Sequence, residues 1–152
     1  MEQPSSNNDK AAEILKTLKI IHIAMLGGLG MFCAASFLIA PQVIWDLNAT
    51  EDPFFLVVPA AILGGLVMST LLFKQQLNGL MAKETPDEKI VGYQAACIVK
   101  WALLEGPSTV GLVAFIITGN TYYFSLALLL ILYFILQKPT LQKMQTELQL
   151  GG

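Results

Sequence analysis

One carboxylate stands alone inside a long apolar run. In "KWALLEGPSTVG", which begins at Lys100, Glu105 has leucines before it and Gly106 and Pro107 after it. A charged side chain at bilayer depth is costly, and it faces a protein interior or a water-filled cavity. On a helix, Trp101 lies four residues before Glu105, Ser108 three after and Thr109 four after, so these share its face. Lys100 is five residues away and points elsewhere, and its stem can carry the ammonium back to the aqueous boundary. It is a poor partner for Glu105 on the same helix. Pro107 removes a backbone N–H and disturbs the carbonyl of Leu103, while Gly106 is pushed away from helical geometry. A kink or local break is therefore expected at Gly106 and Pro107. An acid beside freed backbone, with the Ser108 and Thr109 hydroxyls to hand, suits a proton or cation site.

The second polar candidate is His22, near the start of an earlier apolar run. It falls in the same half of the bilayer as Glu105, so the two can meet across helices as a hydrogen-bonded or ionic pair. Such a pair could serve acid–base chemistry, but nothing marks a nucleophile. There is no nucleotide motif and no metal-ligand cluster such as H-E-x-x-H. The competing reading of Glu105 is structural, a carboxyl group bonded to a neighbouring helix that fixes the packing. For His22 it is a place at the membrane boundary, and Trp101 and Tyr133 read as packing or belt residues.

These residues need elements to hold them, and composition says which. The chain of 152 residues is 55% hydrophobic and 13% charged, against roughly 25% charged in an ordinary soluble domain. Its apolar residues are gathered into four runs, about 18–40, 54–73, 96–119 and 122–137. The first three reach ~30 Å as helices, enough to cross the hydrocarbon core; the fourth is short. The first run is longer than a signal peptide's apolar stretch and no A-x-A site follows it before Pro41, so an uncleaved span is expected. The fold class is all-α, a four-transmembrane-helix bundle occupying 9–138, with a disordered N-terminus at 1–8 and an amphipathic tail at 139–152.

Orientation follows from the lysines. All nine basic residues are Lys. They lie before the first span, between the second and third, near the start of the third, and after the fourth. The connection at 41–53 has none and carries Asp46, Glu51 and Asp52. If four helices alternate, every lysine falls on one side, which the positive-inside rule makes cytoplasmic. Both termini are then cytoplasmic, and helices 2 and 3 extend into the cytoplasm.

Local signals bound the helices. Asp9 can cap the first helix and Asp52 with Pro53 can start the second. "TPDE" opens the third, with Thr85 as cap, Pro86 first and Glu88 completing a capping box. Gly119-Asn120 closes it, Trp45, Tyr122 and Tyr123 suit the outer interface, and Pro139 ends the fourth span. In the tail, Leu141, Met144 and Leu148 share a face that can lie on the membrane or cover the bundle. Gly27, Gly28 and Gly30 in one span, and Gly64 and Gly65 in the next, read as small-residue helix-packing stripes. Cys33 and Cys97 fall in or beside spans, so no disulfide framework is indicated.

Two local features resemble the proteolipid (c) subunits of rotary ATPases: the glycine-rich "GGLGMF" and the "ALLEG" carrying Glu105. That resemblance implies an ion-carrying role for Glu105. Pro107 two residues after the acid, a single acid in four spans and the long helix extensions depart from it. The whole chain looks more like small uncharacterised four-span inner-membrane proteins of bacteria with a similar "EGP…TGN" third span. That resemblance implies an inner-membrane location and brings no activity with it. The expected role is structural or accessory and non-enzymatic, with no cofactor and no metal. The expected surroundings are the lipid bilayer and a homo-oligomer or another membrane protein, with no nucleic acid. Proton or cation transfer through Glu105 is the alternative.

Overall fold

The computed structural model describes residues 4–45 and 50–149, with side chains from Asp9 onward. Five helices follow one another: α1 Pro4–Ile39, α2 Phe54–Met81, α3 Pro86–Thr118, α4 Thr121–Leu136 and α5 Leu141–Leu148. The described part is all helical apart from an isolated bridge between Ile44 and Asn120. Three helices, α1 to α3, are long and apolar enough to cross a membrane. The sixteen residues of α4 span only ~24 Å. With α5 they make a fourth candidate span, bent by 81° at the break.

The ends of the helices have local causes. Thr85 accepts from Glu88 N at 3.3 Å and starts α3 with Pro86 in its first turn. Gly119 ends α3 in the left-handed region at φ 70°. Asn120, one residue on, accepts from Tyr122 N at 2.9 Å and caps α4. At α2 the start is shifted by one residue: Pro53 is the cap position, while the Asp52 carboxylate accepts from Phe54 N at 3.1 Å. The first helix begins at Pro4 rather than at Asp9, so residues 4–8 belong to it; residues 1–3 lie outside the described part. Thr140 caps α5 through Lys143 N at 3.2 Å.

Helix α3 is the shared partner. It packs against α1, α2 and α4, whereas α1 and α2 do not touch each other among the described residues. Its buried residues include Ile90, Tyr93, Trp101, Leu104, Leu112 and Phe115. The glycine stripes divide unequally. Only Gly65 is pressed on a neighbour: a Cβ there would lie 2.5 Å from Pro107 Cγ and 2.7 Å from the Leu103 carbonyl oxygen. A Cβ at Gly27, Gly28, Gly30 or Gly64 would meet nothing within 4 Å among the described residues, so their reading as packing residues does not hold there. They lie on the open sides of α1 and α2. An unexpected close approach is Gly111, where a Cβ would meet Ala127 Cβ of α4 at 3.0 Å.

Two ends are pinned. At one, Ile44 N donates to Gly119 O at 2.8 Å and Thr121 N donates to Ile44 O at 3.1 Å. The connection after α1 is thereby tied to the α3–α4 turn. At the other, Lys10 Nζ donates to Asp87 Oδ2 and joins the start of α1 to the start of α3. There α5 folds across the helices and buries Met144 and Leu148 completely. Of the two places open to the tail, it takes the one that covers the other helices.

Candidate functional site

Glu105 lies on α3 one turn beyond Trp101, which is 1% exposed. The glutamate is half-buried, and its carboxylate has no hydrogen bond or ion pair among the described residues. Its expected helpers are occupied. Ser108 Oγ donates to Leu104 O at 2.8 Å and Thr109 Oγ1 donates to Glu105 O at 3.0 Å, both backbone carbonyls. These bonds satisfy the hydroxyls inside their own helix and leave the carboxylate untouched. Helix α3 runs unbroken through Gly106 and Pro107, so of the expected kink or local break the break is absent. The Leu103 carbonyl, whose intrahelical donor Pro107 cannot supply, faces Gly65 of α2 instead. The proline thus marks a close α2–α3 approach against rigid atoms, and the absence of a Cβ at Gly65 makes it feasible.

His22 does not pair with Glu105. It is 3% exposed, and its Nε2 lies 3.1 Å from the Phe134 carbonyl oxygen near the end of α4. A carbonyl only accepts, so Nε2 carries the proton and donates. The imidazole packs edge-on against Trp101 with ring centroids 4.9 Å apart, and against Phe134 at 5.1 Å. Residues from α1, α3 and α4 meet here, and the histidine ties them together. With Nε2 committed to backbone and no contact to Glu105, the acid–base pair is not assembled.

A polar cluster beside α5 was not among the expected site residues. Lys100 Nζ donates to Gln137 Oε1 at 2.8 Å and sits 4.4 Å from the centroid of Phe73, a cation–π arrangement. Its ammonium is therefore held by protein groups. Tyr93 Oη donates to Glu147 Oε2 at 2.7 Å and latches α5 to α3. Cys97, Lys138, Lys143 and Pro139 close the space, leaving a cavity of about 30 Å³, room for one or two waters. Phe73 comes from α2 and Tyr93, Cys97, Lys100 and Trp101 from α3, while Gln137, Lys138, Pro139, Lys143 and Glu147 come from beyond α4. Helical spacing within α3 puts Tyr93, Cys97 and Lys100 on adjoining faces, but only the 81° turn brings Glu147 to them.

Beside His22 a groove of about 400 Å³ opens between α1 and the end of α4, with Lys19 and Lys138 at it. A larger groove of about 650 Å³ between α2 and α4 carries no charged residue. Among the described residues no group of three His, Cys, Asp or Glu is placed to hold a metal ion. Cys33 and Cys97 are both free thiols. Compared with known proteins, the chain matches no family model, no curated protein and no solved structure.

Proposed function

We propose that this chain is a non-enzymatic structural or accessory protein of the bacterial inner membrane, which joins another membrane helix through the open face of α1. The observation that carries this is the imbalance of packing. Only 17% of the most apolar stretch of α1 is buried inside the protein, against 22% for α2 and 39% for α3. On that open side Gly27, Gly28 and Gly30 have no neighbour within 4 Å. Lipid is as apolar as any side chain, so helices associate in membranes where small residues allow backbones to approach. A flat glycine face beside Met31, 73% exposed, offers such a surface to a second copy or to another membrane protein. The lysine bias supports four alternating spans with both termini in the cytoplasm. Under this reading no cofactor is used, and Trp101, His22 and Phe134 hold the scaffold that presents α1.

The test is the mass of the complex extracted from the native membrane in lipid-preserving particles. The proposal expects an assembly larger than one chain, reduced to single chains by Gly28→Leu without loss of helix content. A complex of unchanged mass in Gly28→Leu overturns it.

One observation favours a second reading, proton or cation transfer through Glu105: its carboxylate is unpartnered among the described residues. A neighbouring copy or a passing cation would satisfy a group that is expensive to leave alone at that depth.

A further inference from the structure

We propose that the groove between α1 and the end of α4 holds one anionic phospholipid. Its phosphate lies between Lys19 and Lys138, and an acyl chain runs along Ile23, Leu26 and Ile135. The inference rests on the membrane-spanning reading above. Seven residues line this groove, and their order along the chain gives it two chemically distinct halves. Lys19 and His22 precede Ile23 and Leu26 on α1; Ile135 precedes Lys138 and Pro139 at the end of α4. The cationic half therefore lies toward one end of the molecule and the apolar half toward the other. No carboxylate is among the lining residues, so nothing inside the groove neutralises the two ammonium groups.

His22 forms the buried wall between them, fixed by its bond to the Phe134 carbonyl. Pro139 stops α4 from continuing, and the 81° turn takes the chain aside, which leaves Lys138 at the corner of the groove. The volume of about 400 Å³ falls in the usual range for small-molecule sites. Ile23 and Ile135, 67% and 47% exposed, supply an apolar wall that a free phosphate would not use. Basic pockets between spans at the cytoplasmic face are the known form of anionic headgroup recognition. The larger α2–α4 groove makes the contrast: without a cation it can accept an acyl chain but selects no headgroup.

Trp101 reports on this site, because its ring centroid is 4.9 Å from that of His22. With Trp45→Phe it becomes the only tryptophan of the two in the chain. The full chain is placed in nanodiscs of equal leaflet composition, which removes any dependence on in–out orientation. Acyl-brominated phosphatidylglycerol or phosphatidylcholine is then titrated in. The site predicts that brominated phosphatidylglycerol quenches Trp101 at mole fractions where brominated phosphatidylcholine does little. Lys19→Gln with Lys138→Gln should remove that preference, roughly fivefold for each lysine, and leave phosphatidylcholine quenching as it was. Equal quenching by the two lipids in the unsubstituted groove overturns the proposal, as does a preference that survives loss of both lysines. If soluble glycerol phosphate cancels the preference, the site is for free phosphate and the lipid assignment fails. Absence of quenching by either lipid overturns the spanning reading and the lipid site together.

Discussion

Gly65→Ala is the sharpest mechanical test of how α2 meets α3. The added methyl would stand 2.5 Å from Pro107 Cγ and 2.7 Å from the Leu103 carbonyl oxygen. Neither neighbour can swing away, since one is a closed ring and the other is backbone. To restore ordinary carbon–carbon contact near ~3.5 Å, the helices must part by about 1 Å, which forfeits a quarter to a half of the dispersion energy across the opening. Overpacking of this kind costs about 1–3 kcal/mol. Alanine's helix-propensity advantage of ~1 kcal/mol offsets little here, because membrane helices are already formed in the unfolded reference state. The folding equilibrium constant should therefore fall by roughly thirtyfold, for about 2 kcal/mol near the middle of that range. Gly64→Ala, one residue away and with nothing within 4 Å, is the matched control and should be neutral. The assay is reversible unfolding in mixed micelles followed by Trp101 fluorescence, with Trp45→Phe in every chain compared. Equal midpoints for the two variants would refute the α2–α3 contact. A double variant with Pro107→Ala removes the ring and should recover part of the loss, by about 0.5 kcal/mol or more of coupling.

Two further outcomes follow from the site. Tyr93→Phe removes the donor to Glu147 and should speed amide exchange in α5 by about tenfold or more. Exchange in the middle of α3 should stay slow, and unchanged protection of α5 would show that the latch does not hold it. Glu105→Gln should leave the mass of the membrane complex intact; if it abolishes cation or proton flux in proteoliposomes, the transport reading replaces the accessory one.

The parts of the fold that are local were legible in the residues. Thr85 before Pro86 fixes the start of α3 through its own hydroxyl, and Gly119 ends it through a backbone conformation other residues avoid. Apolar runs longer than a bilayer crossing declared α1, α2 and α3. What depends on rotation about helix axes was not legible. His22 and Glu105 stand at compatible depths, but depth does not decide which faces meet, and His22 turns to a carbonyl of α4. Glycines separate in the same way: Gly64 and Gly65 are adjacent, yet 100° of helical rotation points one outward and the other at Pro107. Pro107 reads as a kink or local break because the proline effect on the backbone is local. Here tertiary contact gives the freed Leu103 carbonyl a neighbour in α2, and the helix continues. The Tyr93–Glu147 latch, between residues 54 apart in the chain, had no signal beyond the amphipathic spacing of Met144 and Leu148.

The central claim is that α1 presents an open glycine face to another helix, and cross-linking in the native membrane tests it most directly. In a chain with Cys33→Ala and Cys97→Ala, a single cysteine is introduced by Gly28→Cys, or for comparison by Leu132→Cys on α4, a residue 50% exposed. A short bifunctional thiol reagent should give a discrete higher-mass adduct from the Gly28→Cys chain and none from Leu132→Cys. Equal adducts from both positions, or an adduct from Leu132→Cys alone, would contradict the account.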